Sequence, residues 1–149
     1  MPQTTRGPSA YISVKNASAA IDYYVAVFGA VEDFRLTDPA DGRIGHAQLT
    51  FGDQVLMISD EFPDFGSLGP DSIGGTPVKL HIEVDDADAV FEKAIAHGGS
   101  EMRPVKDQFY GYRGGMVADP FGHQWFIQTK VEDVPPDVMQ ERWNNGLAG

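Results

Sequence analysis

At 149 residues and 16.2 kDa the chain has room for one domain or two small modules, and its 42% hydrophobic and 11% aromatic content suits a packed globular protein. With 11 basic against 22 acidic residues the net charge is -11, which repels phosphate backbones and anionic lipid, so neither nucleic acid nor membrane is an expected partner. No cysteine is present, which excludes disulfides, thiolate catalysis and cysteine-ligated metal and leaves any metal to His, Asp or Glu.

The opening residues, Met1 to Pro8, are polar and lack the apolar centre of a secretion signal, so a cytoplasmic location is expected. An alternating strand through Ile12 and Val14 then meets Asn16-Ala17, a helix cap, and the helix stops at Gly29. Three more strands, the last after the turn Phe51-Gly52-x-Gln54, complete a first module over 8–60. A linker loop over 61–76 is rich in Gly, Pro and Asp; its Phe62, Phe65 and Leu68 either tuck against the core or fold over a ligand.

The second module, 77–130, repeats the first when residue i is laid on residue i+70. Ile12, Val14 and Ala17 fall on Ile82, Val84 and Ala87; Gly29 falls on Gly99, Arg43 on Arg113, and Phe51-Gly52-x-Gln54 on Phe121-Gly122-x-Gln124. Over 9–60 the overlay gives 11 identities in 52 ungapped pairs, against roughly three or four from average residue usage. The expected fold is therefore α+β, two βαβββ modules with helices of equal length. In the tail, 131–149, Pro135 or Pro136 opens a short helix that places Met139 and Trp143 on one face, to dock on this subunit or on a dimer mate.

The stretches Tyr11 to Ala30, Ser59 to Phe62, Val84 to Asp86, Asp119-Pro-Phe-Gly-His-Gln-Trp125 and Val131 to Val134 carry a resemblance. In them the chain resembles the vicinal oxygen chelate superfamily of glyoxalase I, extradiol dioxygenases, fosfomycin resistance enzymes and bleomycin-binding proteins, most of all its phosphonate-cluster-associated, glyoxalase-like branch. The resemblance implies strands curled into a mixed sheet around a cleft, commonly with a homodimer interface. It also implies a divalent ion held by His or Glu on the first and last strands of each module. The matching positions are Ser9 and Leu56 in the first module and Lys79 and Phe126 in the second, both pairs 70 apart. Leu and Phe offer no donor, Ser is a weak ligand and Lys adds positive charge, so no cofactor is expected at the usual site.

Alternation turns Tyr11 and Ser13 of the first strand, and Lys79, His81 and Glu83 of the fifth, toward the cleft, whereas both faces of the fourth and eighth strands are apolar. His46, Gln48, Leu56, Ile58, Gln124, Phe126 and Gln128 join them as cleft candidates, with Tyr110 and Arg113 at its mouth to stack on a planar ligand or fork onto an acid. His81 with Glu83 is the candidate acid–base pair, and with His46 the two form a displaced metal set in the alternative reading. His97 and His123 read as structural, at a helix end and in a turn. The expectation is a small-molecule-binding protein lacking the usual metal ligands. The alternatives are a metal-dependent lyase or dioxygenase and a metal-free acid–base enzyme.

Overall fold

The computed structural model describes residues 3–146. By internal contacts the chain divides into two compact units, Met1–Gly75 and Thr76–Gly149. Each carries the βαβββ order on a mixed four-stranded sheet, so the α+β paired-module fold is observed.

In the first unit, β1 (Ala10–Val14), β2 (Val31–Thr37), β3 (Ile44–Phe51) and β4 (Gln54–Asp60) build a sheet of order β1-β4-β3-β2, with β1 parallel to β4 and the other pairs antiparallel; helix α1 (Ala17–Phe28) follows β1, and the one-turn helix α2 (Pro70–Ile73) lies in the linker. The Asn16 side chain accepts from Ala19 N at 3.1 Å and Gly29 closes α1 at φ 71°, a left-handed cap that favours glycine. The apolar stripe Ala17, Ala20, Ile21, Tyr24 and Val27 is buried against the sheet. Buried Asp60 ties this end of the unit together: its two oxygens accept from Ala17 N at 2.8 Å and Ile44 N at 2.7 Å.

The second unit repeats the plan with β5 (Lys79–Glu83), α3 (Ala87–Ala96), β6 (Ser100–Asp107), β7 (Tyr112–Ala118) and β8 (Gln124–Lys130), in the order β5-β8-β7-β6. Here Thr129 Oγ1 takes the place of the Asp60 carboxylate, accepting from Ala87 N at 2.8 Å. On the helix side Phe91 lies so close to β7 that a Cβ on Gly115 would come within 2.9 Å of its ring. The tail helix α4 (Pro136–Asn144) starts on Pro136 and docks on this same unit: Trp143 packs on Phe109 at 5.7 Å between centroids, and Arg142 donates to Phe109 O at 2.9 Å and Glu132 at 2.8 Å.

The repeat is real, but its spacing drifts. Strand register pairs Tyr11 with Met57 and Met57 with Gln48 in the first unit, and His81 with Phe126 and Phe126 with Met116 in the second. Equivalent residues are thus 70 apart on the first strand (Tyr11, His81), 68 on the third (Gln48, Met116) and 69 on the fourth (Met57, Phe126). Three length changes explain this. The helix and its exit turn are one residue shorter in the second unit, where α3 is capped at His97 rather than Gly99, so that Val31 answers to Ser100 at 69, and the path from the second strand to the third loses one more. The last hairpin closes between Phe51 and Gln54 in the first unit but spans Asp119 to His123 in the second, where Asp119 accepts from the amides of Phe121 and His123 and from Trp125 Nε1.

A slip of one residue exchanges the faces of a strand. Leu56 pairs with Ala10 and Leu49, is 5% exposed and belongs to the core, as does Ile58. The expectation that Leu56 and Ile58 face the cleft is therefore corrected, and the residue equivalent to Phe126 is Met57.

Candidate functional site

Each sheet has one face covered by its helix and one turned away from it, here called the open face. Register places residues on the open face of the second unit in rows that run across all four strands. One row is Arg103, Met116, Phe126 and His81; the next is Lys106, Gly114, Gln128 and Glu83; Lys79 and Gln124 adjoin them. The expected outward direction of Lys79, His81, Glu83 and Phe126 thus agrees with the register.

Gln128, 2% exposed, organises this face. Its Oε1 lies 2.6 Å from His81 Nε2, and its Nε2 donates to the Tyr110 hydroxyl. With the amide so oriented, Oε1 is the acceptor, so a neutral His81 carries its proton on Nε2 and keeps Nδ1 as a lone pair. Gly114 makes the arrangement possible, since a Cβ there would stand 2.6 Å from Gln128 Cγ and 2.4 Å from the Ile127 carbonyl oxygen. Glu83 turns to Tyr112 instead of His81; the hydrogen bond between them, followed by burial, raises the Tyr112 phenol above its ordinary pKa. The expected His81–Glu83 pair is therefore two adjacent groups with separate partners.

Beside Phe126 a cavity of about 610 Å³ opens, walled by Phe109, Tyr110, Phe126 and Trp143 and edged by Arg103 and Lys106 of β6. Its volume falls in the range that accepts small organic ligands, roughly 300–1,000 Å³. Phe109 and Tyr110 sit in the β6–β7 turn, anchored where the amides of Val131 and Glu132 donate to Gly111 O. Of the residues that line this cavity, Tyr110 and Phe126 were expected at the cleft from the sequence, whereas Arg103 and Lys106 were not singled out and Trp143 was expected only on the docking face of the tail helix. The signal for the basic pair is Pro104: a proline in an edge strand coincides with a register shift, which carries both Arg103 and Lys106 onto one face.

Arg113 is not at this cavity. It alternates onto the helix side, where its guanidinium forks onto Asp88 at 2.8 and 3.1 Å and reaches Asp107 at 3.2 Å. The bonds to Asp88 and Asp107 raise its pKa, and Arg113 in turn holds the Asp88 carboxyl below its ordinary value. Its expected role on a ligand acid is corrected to a structural ion pair.

In the first unit the open-face row is Phe34, Gln48, Met57 and Tyr11. The Tyr11 hydroxyl lies 2.8 Å from His46 Nδ1, so these two candidates meet, and the Phe34 ring packs on His46 at 5.6 Å. Gln48 donates to Asp33 at 3.0 Å; Thr50, first, and Gln48 together hold the Asp33 carboxyl below its ordinary value. Ser13 is engaged by the linker: its hydroxyl is 2.7 Å from Ser67 Oγ, and Gly69 lies so close that a Cβ would meet Ser13 O at 2.7 Å. Arg43 covers the Phe62 ring at 4.0 Å, while Phe65 is 87% exposed.

At the positions that the resemblance assigns to the metal, adjusted to the observed register, the donor chemistry does not suit a divalent ion. Ser9, Met57, Lys79 and Phe126 supply a hydroxyl, a thioether, an ammonium and a ring. Of the displaced set, His46 is joined to Tyr11, His81 to Gln128 and Glu83 to Tyr112. Among the described residues no group of three His, Asp or Glu side chains is placed to hold a metal.

Comparison with known proteins agrees with the fold. The Mycobacterium tuberculosis protein Rv0887c is 41% identical over 135 residues, covering 89% of this chain and 79% of that one. The solved structure of protein PA1353 from Pseudomonas aeruginosa superposes with a TM-score of 0.71 at 26% identity, over 86% of this chain and 100% of that one. Fosfomycin resistance protein FosX from Mesorhizobium loti shares the fold, with a TM-score of 0.63 at 16% identity over 87% and 95% of the two chains. A family profile matches residues 6–127, and the chain belongs to the Glyoxalase/Bleomycin resistance protein/Dioxygenase superfamily.

Proposed function

We propose that the chain is a small-molecule-binding protein of the glyoxalase/bleomycin resistance type that works without the usual divalent ion. The cavity beside Phe126 carries this reading. Four aromatic side chains line a hollow of ligand size, and one of them, Phe126, stands at a position to which the resemblance assigns a metal ligand. Aromatic walls with a few polar anchors are what organic ligands select.

The test is fluorescence of Trp143, which lines the cavity, during titration with small aromatic compounds, with Trp143→Phe as the control for buried Trp125. Saturable quenching that Phe126→Ala weakens at least about tenfold is expected. Absence of saturable binding across the set would overturn the reading.

One observation favours a second reading, metal-free acid–base catalysis. The Gln128 amide leaves His81 Nδ1 as a proton acceptor on the open face. It predicts that His81→Ala abolishes turnover of a bound compound while its binding persists, and a variant with undiminished turnover would refute it.

A further inference from the structure

The charges around the cavity bear on the class of ligand it can take. In a chain of net charge -11, its edge carries Arg103 and Lys106, and no Asp or Glu is among its lining residues. Arg103 makes no ion pair among the described residues, unlike Arg35, Arg43, Arg113 and Arg142, each of which is joined to a carboxylate. Register sets Arg103 in line with Met116 and Phe126, and Lys106 in line with Gly114 and Gln128, so both basic side chains rise from the same face as the Phe126 ring. A guanidinium at the end of such a row is a fork for an acid group, and the aromatic walls suit a flat ring system.

Resting on the binding reading above, we propose that this cavity takes a planar aromatic anion. The ring lies among Phe109, Tyr110, Phe126 and Trp143, and its carboxylate, phosphate or sulfonate meets Arg103, with the charge of Lys106 nearby on the same face. A neutral ring of the same shape loses the anchoring bond, and a cationic one meets repulsion.

The experiment compares 2-naphthoate, 2-naphthamide and 2-naphthylmethylammonium by calorimetry on the full chain at low ionic strength, for the wild type and for Arg103→Gln with Lys106→Gln. Both substituted side chains are exposed on an edge strand, and far-UV circular dichroism checks that the variant is folded. The expected result is naphthoate bound at least about tenfold more tightly than the amide, with that preference lost in the double variant and weakened by salt. Equal affinity for naphthoate and naphthamide, or a preference that survives the double substitution, overturns the anion assignment and leaves the binding reading standing. If none of the three binds, the binding reading falls and the anion assignment with it.

Discussion

Placing glutamate at position 56 or at position 57 tests the register on which the site assignment rests. Leu56 is buried between Ala10 and Leu49, whereas Met57 is half-buried on the open face beside Tyr11 and Gln48. Losing Leu56 from the core forfeits about 2 kcal/mol of apolar burial. A glutamate there stays neutral at pH 7, roughly 2.7 pH units above its ordinary pKa of about 4.3, which adds about 4 kcal/mol at about 1.36 kcal/mol per unit. The total of about 6 kcal/mol matches the whole stability of many small domains, about 5–15 kcal/mol. Leu56→Glu should therefore show no cooperative urea transition by circular dichroism, while Met57→Glu stays within about 1 kcal/mol of the wild type. Equal stability of the two variants, or the reverse order, would refute the register and restore Leu56 to the open face.

Asp60→Ala removes the acceptor of two amides, Ala17 N and Ile44 N, and should cost about 3 kcal/mol in urea unfolding; a loss under about 1 kcal/mol would mean that water replaces the carboxylate. Gly114→Ala should lower stability by about 1–3 kcal/mol by crowding the Ile127 carbonyl and Gln128. It should also change the ring-nitrogen NMR shifts of His81, and unchanged shifts would contradict the account of Gln128. Arg113 lowers the pKa of Asp88, so the pair's contribution is present above the unfolded carboxyl value and fades as pH falls through the lower folded value. Arg113→Gln should return the Asp88 titration, followed by NMR, to the ordinary aspartate range, and the stability difference between the proteins should vanish at acid pH. An Asp88 titration unmoved by the substitution would contradict the pairing.

Local signals in the sequence located the module order. Asn16 and Asp86 are observed as helix caps, and the clean alternation of Ile12, Val14, Leu80 and Ile82 set the faces of β1 and β5 correctly. The fourth strand was illegible because Val55, Leu56, Met57 and Ile58 are apolar on both faces, so only distance along the chain could assign them. That distance misled, since one residue is lost around the helix, one more before the third strand, and the last hairpin is longer, all between the strands being compared. Arg113 was read by its place near an aromatic turn, but the partner that claims it, Asp88, lies 25 residues away on α3. The basic edge of the cavity was hidden for a related reason: plain alternation puts Arg103 and Lys106 on opposite faces, and the bulge around Pro104 is what brings them onto one.

The central claim is that this chain retains the superfamily's paired-module architecture and binds its ligand without the usual metal. It is tested most directly by the 2-naphthoate binding isotherm measured on one preparation before and after dialysis against a chelator. Superimposable isotherms are predicted. An affinity that disappears on dialysis and returns with one equivalent of zinc, nickel, iron or manganese per chain would contradict the account.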